Sequence, residues 1–186
     1  ADGSEVEVPT MQARDVPALY ARTPEYAAAD LPYGGEAFAM TLVVPSEEEG
    51  LQSFVDDLNE TAWLDLVAGL EEVDDLTVQL PRFELEYERR LNEDLEALGM
   101  TDAFDPGRAD FSRMTPGGGI WVDEVKQKAF VRVNEEGTEA AAVTSVAMAE
   151  SEPPTLRADR PFLFAIRERL SGTILFLGTL VDPPEG

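Results

Sequence analysis

The sequence predicts an α+β fold in which strands outnumber short helices. Several segments alternate apolar and polar residues, as strands with one buried face do. One run, Phe38 to Pro45, is nearly all apolar, which is typical of a strand buried on both faces. Leu51 to Leu58 and Thr61 to Leu70 instead have the spacing of amphipathic helices. At 186 residues, the chain is long enough for one domain with a sizeable core.

The first half of the chain predicts strands bounded by proline and glycine. Glu5 to Pro9 alternates and ends in proline, which predicts a short strand, and Val16 to Tyr26 is broken by two prolines, which predicts an edge strand with a turn. Leu31 to Gly35 has the pattern of a strand that enters a tight turn. Ser46, which three glutamates follow, is predicted to cap the first helix. The apolar face of the second helix is predicted to consist of Trp63, Leu64, Val67 and Leu70.

The second half begins with a long alternating segment, Leu76 to Tyr87, in which Pro81 predicts a bend where two sheets share one chain. Leu91 to Leu98 predicts a short helix that Gly99 ends. After a glycine-rich connection, Ile120 to Asn134 is predicted to be one long strand.

The segment after Gly137 contains mostly small or β-branched residues, with no aromatic side chain and no leucine or isoleucine, until about residue 152. Such a segment cannot anchor itself in a core, which predicts an exposed loop. Its side chains would nevertheless fit a pleated sheet if a gap opened for them, so it is predicted to be a loop in one state and a strand in another. Beyond it, Pro161 to Arg167 and Thr173 to Leu180 predict a hairpin rich in buried aromatic residues.

The composition excludes several classes of function. With no histidine and no cysteine, the chain lacks the usual Ser-His and Cys-His catalytic machinery and the commonest metal ligand. The spacing of Asp102, Asp105 and Asp110 does not fit a calcium loop, and these residues are interpreted as solvated turn residues. No metal and no cofactor are expected. Nothing in the spacing of the acids supports an enzyme that works with a carboxylate pair, such as a glycosidase.

The net charge of the chain limits the kinds of partner that it can bind. A formal net charge of −24 argues against nucleic acid and anionic membranes as partners. An acidic surface with two lysines is typical of a chain kept soluble at high salt, and it predicts a halophilic source. No apolar run has the length of a membrane span, and the first residues lack the basic and apolar regions of a signal peptide.

Several segments resemble serpins, the inhibitors that trap serine or cysteine proteases by inserting a reactive-centre loop into a sheet. Asn134 to Ala142 is similar to the hinge of that loop. Five further segments are similar to serpin signatures and occur in the family's order: Leu80 to Phe83, Gly99 to Phe104, Ala109 to Ser112, Ala158 to Phe164 and Ile174 to Gly178. Together they cover nearly the whole chain, which is identified as a member of the serpin family.

The resemblance implies a serpin-like multi-sheet fold in which residues 1–186 form the C-terminal part of a single serpin domain. This part would supply sheets B and C, two strands of sheet A, the reactive-centre loop and three short helices. The family's N-terminal half has no counterpart in these residues, and without it a long apolar sheet edge would be exposed. The expected partners are therefore the N-terminal half of the domain and a target serine or cysteine protease.

The function that the resemblance implies is that of a suicide substrate rather than an enzyme. A protease would attack the reactive loop, about 135–156, which would then insert into the central sheet and carry the protease with it. The implied hinge residues are Glu135, Glu136, Gly137, Thr138, Glu139, Ala140, Ala141 and Ala142. Thr138, Ala140 and Ala142 would face the interior on insertion, and because they are small and uncharged, insertion would desolvate no charge. This hinge chemistry favours an inhibitor.

Counting residues along the loop does not decide between two positions of the scissile bond. Counting forward from Gly137 by the usual loop length places it at Ser151-Glu152, and counting back from the prolines that follow places it at Glu150-Ser151. Residues 147–149 would alternatively suit subtilisin-like or elastase-like proteases. Gln127 stands where many relatives have a histidine in the sheet-opening region, and its amide predicts altered gating rather than lost function.

The alternative function is that of a non-inhibitory serpin-like binding protein, or of an inactive fragment, in which the loop never inserts. By family resemblance, an extracellular or cell-surface location is expected.

Overall fold

The structure, a computed structural model, describes residues 8–47, 50–134 and 153–182. The strands are β1 (Thr10–Arg22), β2 (Tyr26–Pro32), β3 (Phe38–Pro45), β4 (Glu71–Pro81), β5 (Phe83–Arg90), β6 (Lys126–Val133), β7 (Thr155–Arg157), β8 (Phe162–Glu168) and β9 (Ile174–Leu180). The helices are α1 (Gly50–Asp57), α2 (Glu60–Ala68) and α3 (Asn92–Ala97), with one 3₁₀ turn at Asp102–Phe104. None of the helices in these ranges is both long and apolar enough to cross a membrane.

The chain divides into two compact units. The larger unit comprises residues 1–83 and 133–186, and the smaller one comprises 84–132. Seven strands form one sheet in the order β7-β4-β1-β2-β3-β8-β9, in which every neighbouring pair is antiparallel except the parallel pair β4 and β7. β5 and β6 form a separate two-stranded sheet. The predicted α+β class is confirmed.

β1 passes through the interior of the seven-stranded sheet. It pairs with β4 from Thr10 to Tyr20 and with β2 from Leu19 to Arg22. Strands that the resemblance assigned to two sheets, B and C, are therefore joined in one continuous sheet. The prediction of an edge strand was therefore wrong. Pro17 is tolerated because the register with β4 shifts on both sides of Val16, where the missing N–H of proline is not needed by the ladder. The short strand predicted at Glu5 to Pro9 lies mostly outside the described residues, and Val8 and Pro9 are not in a strand.

The predicted strand Phe38 to Pro45 is confirmed as β3, which is buried from Ala39 onward. The two predicted helices are confirmed as α1 and α2. They contribute to one apolar cluster with the sheet: Ala28, Val43, Leu51, Trp63, Leu66, Leu70, Leu163 and Ala165. The predicted face of α2 was wrong at Leu64, which is exposed, whereas Leu66 is buried, because the sheet meets the side of α2 that carries Trp63 and Leu66.

The start of the two helices differs from the expectation. Ser46 is not the cap of α1, since the helix begins four residues later at Gly50. α2 has a cap that the sequence reading missed, Asn59, whose side-chain oxygen accepts a hydrogen bond from the N–H of Ala62 at 3.1 Å.

The bend predicted at Pro81 is confirmed, because β4 ends there and β5, in the other sheet, begins at Phe83. The helix that Gly99 was predicted to end is confirmed as α3, and Gly99 has a φ of 99°, which favours glycine.

β6 is shorter than predicted, since it begins at Lys126 rather than near Ile120. Just before it, the carbonyl of Val125 still accepts a hydrogen bond from the N–H of Leu91 at 2.8 Å, but two other backbone groups bond to a side chain. The amide of Asn92 donates to the carbonyl of Asp123 at 2.9 Å and accepts from the N–H of Val125 at 2.8 Å. A side chain 30 or more residues away therefore replaces two hydrogen bonds of a ladder here.

The predicted C-terminal hairpin is confirmed as β8 and β9. Its aromatic residues are only partly buried: Phe162 and Phe164 are buried, whereas Phe176 is exposed.

A buried ionic network crosses the sheet at β2, β3 and β8. The carboxylate of Asp30 accepts a hydrogen bond from the hydroxyl of Thr41 at 2.6 Å and pairs with Nη2 of Arg167 at 2.9 Å. Nε of Arg167 also donates to the hydroxyl of Thr41 at 3.0 Å, and Arg169 lies 3.6 Å from the same carboxylate. Oδ1 of Asp30 is hydrogen-bonded, whereas Oδ2 has no hydrogen bond and is compensated by the charges of the two arginines, so the sheet tolerates this carboxylate in its core.

Candidate functional site

The strand that leads into the predicted reactive loop, β6, is held to β5 by exposed ion pairs. Arg132 binds the carboxylate of Glu84 with both Nε, at 2.9 Å, and Nη2, at 3.1 Å. Its guanidinium also lies 5.3 Å from the ring centroid of Phe130. The hydrogen bond from Arg132, aided by its charge, lowers the pKa of Glu84. This contact at two points fixes the orientation of Arg132, which lies next to the end of β6 and just before the predicted loop.

A second group of charges lies further back on the same two strands. Lys128 and Lys126 contact the two oxygens of Glu88 at 2.7 and 3.1 Å. Hydrogen bonds from both lysines lower the pKa of Glu88, and the bond to Glu88 raises the pKa of Lys126. Both lysines of the chain are therefore used to pair β6 with β5.

The opposite edge of β6 is not covered by any strand that the structure describes, since β5 and β6 form a sheet of two. Gln127 lies in this strand and is exposed. Val133, at the end of the strand, is buried. An additional strand could therefore pair with β6 directly beside the start of the predicted loop.

The chain after the predicted loop is anchored by β7, which the sequence reading missed. The carbonyl of Pro154 accepts a hydrogen bond from the N–H of Thr77 at 2.9 Å, and the N–H of Ala158 donates to Gln79 at 2.9 Å. Between them, Leu156 is fully buried. Thr155 and Leu156, assigned above to the end of the loop, thus belong to a strand; three alternating residues are too few for a periodicity signal.

Most of the implied site lies outside the described residues. This holds for the hinge, Glu135, Glu136, Gly137, Thr138, Glu139, Ala140, Ala141 and Ala142, and for the scissile-bond candidates, Glu150, Ser151 and Glu152. The structure does describe Asn134 before this segment and Pro153 after it.

Asp102, Asp105 and Asp110, whose spacing does not fit a calcium loop, form hydrogen bonds and ion pairs within their own turns. Asp105 accepts from the N–H of Gly107 at 2.7 Å and pairs with Arg108, and these contacts lower its pKa. Asp102 also contacts Arg108, and Asp110 accepts from the N–H of Ser112. Within the described ranges, no three acidic side chains are grouped as a metal site would require.

Residues 1–183 match the family model described as serpin, serine protease inhibitor. The chain is 35% identical to mouse glia-derived nexin over 187 residues, which cover 98% of this chain and 47% of the relative. It is 38% identical to human leukocyte elastase inhibitor over 165 residues, 83% of this chain and 43% of that protein. The native structure of tengpin, a thermophilic serpin, matches with a TM-score of 0.74 and 32% identity over 97% of this chain and 47% of tengpin.

Two conclusions follow from the fold and these similarities. The fold belongs to the predicted class, the α+β fold with several sheets that serpins have. The chain belongs to the serpin family, a family of inhibitors rather than of enzymes. It spans about half the length of the curated relatives that it matches.

Proposed function

We propose that the complete protein containing this chain inhibits a serine or cysteine protease as a suicide substrate. The protease attacks the reactive loop within residues 135–154 and forms an acyl-enzyme through its own nucleophile. The cleaved loop then inserts beside β6 as a new strand. Family membership and the name of the relative leukocyte elastase inhibitor support this proposal.

The observation that carries the proposal is the uncovered edge of β6. Among the described strands this edge has no partner, and the predicted loop continues the same strand after Val133 and Asn134. A strand that folds back beside β6 would satisfy the N–H and C=O groups along that edge.

The hinge sequence supports insertion. Thr138, Ala140 and Ala142 occupy alternate positions, so an inserted strand would place all three on one face of the sheet. None of them carries a charge, and burial of that face would cost little.

We further propose that residues 1–186 are the C-terminal part of one serpin domain and that the N-terminal half of that domain covers β9. Residues 171–181 contain no charged side chain, although the chain as a whole carries −24. Four consecutive apolar residues of β9, Ile174 to Leu177, are exposed at the edge of the seven-stranded sheet. An edge of this kind promotes association unless another segment covers it.

The test is to incubate the complete protein with subtilisin, elastase and a glutamate-specific protease and to examine the products under denaturing conditions. An inhibitor gives a covalent complex that survives denaturation. Cleavage without a complex would contradict the proposal and favour the non-inhibitory binding protein.

A matched pair of hinge variants makes the test specific. Ala140→Arg places a charge on the face that insertion buries and should convert the inhibitor into a substrate, whereas Ala141→Arg places the same charge on the other face and should retain trapping. Equal loss in both variants would contradict strand insertion. The mass of the released C-terminal peptide distinguishes Glu150-Ser151 from Ser151-Glu152 as the scissile bond.

A further inference from the structure

Three arginines meet at one cavity of the larger unit, although the chain has few positive charges. The cavity has a volume of about 360 Å³, and its lining includes Arg22, Arg157 and Arg160. Arg22 ends β1, Arg157 ends β7, and Arg160 follows β7. Val44 and Pro45, buried at the end of β3, also line it. Arg22 and Arg157 also line an adjoining cavity of about 390 Å³.

The positive charge of this cavity is not neutralised by its own acid. Asp159 accepts a hydrogen bond from Nε of Arg160 at 3.1 Å and lies 4.0 Å from Nε of Arg157. Arg160 also donates to the carbonyl of Ser46 at 2.6 Å. The side chain of Arg22 forms no hydrogen bond and no ion pair within the described part of the chain. Among the described residues that line the cavity, three carry a guanidinium group and one carries a carboxylate.

We propose that this cavity binds a small oxyanion of the class of inorganic phosphate, sulfate and their monoesters. A guanidinium presents a planar fork of N–H donors that matches two oxygens of such an anion. Arg22 has its whole fork available, and Arg157, which lies at 4.0 Å from its acid, has most of its donors available. The anion would be the shared acceptor of both.

The charge of the whole chain selects for a small ligand. A polyanion needs a basic stripe several charges long. Along its whole length it would also be repelled by the net charge of the chain, which is −24. A compact oxyanion meets only the local cluster, where the three arginines line one cavity, and the remaining charges are screened by salt.

Binding would have a structural consequence. The oxyanion would link Arg22, at the end of β1, to Arg157 of β7, the strand that follows the predicted reactive loop. It would thus stabilise the attachment of β7 to the sheet, since a ligand that binds only the folded state raises its stability.

The experiment is calorimetric titration of the complete protein with sodium phosphate, with sodium chloride at equal ionic strength as the reference. Saturable binding at one site per chain is expected for phosphate and not for chloride. Arg22→Gln should weaken phosphate binding about tenfold or more, because a charged hydrogen-bond pair is lost. Arg22 is exposed and makes no described side-chain contact, so the variant should fold normally.

The matched control is Arg14→Gln, which removes the same charge from the same strand at an exposed residue that does not line the cavity. It should leave phosphate binding within about twofold, since distant exposed charges are screened. Asp159→Asn should tighten binding, because it removes the competing carboxylate.

Three results would overturn the proposal: no saturable phosphate binding, equal weakening in Arg14→Gln and Arg22→Gln, or a long sulfated polymer that binds more tightly than phosphate. Increased thermal stability with phosphate in the parent protein, lost in Arg22→Gln, would be independent support.

Discussion

The two compact units of this chain are stabilised in opposite ways. Every buried apolar residue that the structure describes belongs to the larger unit, and none lies in 84–132, all of which is described. The smaller unit instead has exposed ion pairs on β5 and β6 and the buried polar side chain of Asn92. Burial of apolar area is not weakened by charge screening, whereas exposed ion pairs are screened by salt. The larger unit is therefore stabilised by a buried apolar core, whereas the smaller unit is stabilised mainly by ion pairs at its surface.

This contrast bears on the proposed mechanism. A sheet that has to accept a new strand beside β6 benefits from strands whose contacts can be rearranged without opening a core. The ion pairs of β5 and β6 meet that requirement, whereas the buried contacts of the seven-stranded sheet resist change.

The largest expected effect comes from comparing one carboxylate in each unit. Asp30→Ala leaves Arg167 buried without its partner and should destabilise the protein by about 3–5 kcal/mol. Glu84→Ala removes an equally short contact, to Arg132, but at an exposed position, and its effect should be much smaller. Urea unfolding of both variants measures the difference. Similar losses in the two would contradict the division between core and surface.

The second comparison uses leucine. Leu42 is fully buried in β3, and Leu42→Ala should lower the free energy of unfolding by about 2–5 kcal/mol through lost burial and the cavity it leaves. Leu98 is 83% exposed in the smaller unit, and Leu98→Ala should change it by no more than about 0.5 kcal/mol. A large loss from Leu98→Ala in thermal or urea unfolding would reveal a core that the smaller unit does not show.

The third comparison uses glycine. A Cβ at Gly178 would lie 2.8 Å from the ring of Phe164, the residue opposite it in β8, so Gly178→Ala should cost about 1–3 kcal/mol. In the smaller unit, a Cβ at Gly117 would meet open space, and Gly117→Ala should be neutral or slightly stabilising. If Gly178→Ala unfolds at the same urea concentration as the parent protein, the close packing of β8 on β9 is contradicted.

The smallest expected effect is a dependence on pH. The pKa of Glu84 and that of Glu88 are held below the ordinary value of 4.5 by their basic partners. Such carboxylates stabilise the folded state above that value, and the contribution is lost as the pH falls through their lowered pKa. The difference in stability between the parent protein and Glu84→Gln should therefore be present at neutral pH and should disappear in acid and in high salt.

Leu42→Ala is the control for that measurement, since its loss comes from apolar burial and should persist in high salt. A difference for Glu84→Gln that is unchanged by both acid and salt would mean that the Arg132 contact does not act electrostatically.

Much of the fold could be predicted from local patterns. The run Phe38 to Pro45 predicted β3 at its observed bounds, and Pro81 predicted the bend between β4 and β5, because a proline cannot continue a ladder. The signatures around Leu80, Asp159 and Ile174 predicted the family, which the similarities confirm. The hinge and scissile-bond predictions stay predictions, since those residues lie outside the described ranges.

Other features depended on contacts between distant residues. No local pattern indicates that β1 lies between β4 and β2, or that Asn92 replaces the ladder at Asp123 and Val125. The buried position of Leu66 rather than Leu64 depended on which side of α2 the sheet meets. Neither the Asp30 network nor the arginine cavity has a sequence signature, since Asp30 and Arg167, like Arg22 and Arg157, are more than 100 residues apart.

The sequence by itself determined the α+β class, the family and the positions of most strands and helices, and it is the basis of the predicted hinge. These follow from periodicity, from the backbone limits of proline and glycine, and from short family signatures, all of which act between neighbours in the chain. Only the tertiary structure decided which strands pair, where charge is buried, which edge of β6 is uncovered and which arginines meet. These depend on the pairing of strands far apart in sequence, which minimises the free energy of the whole sheet rather than of any one segment.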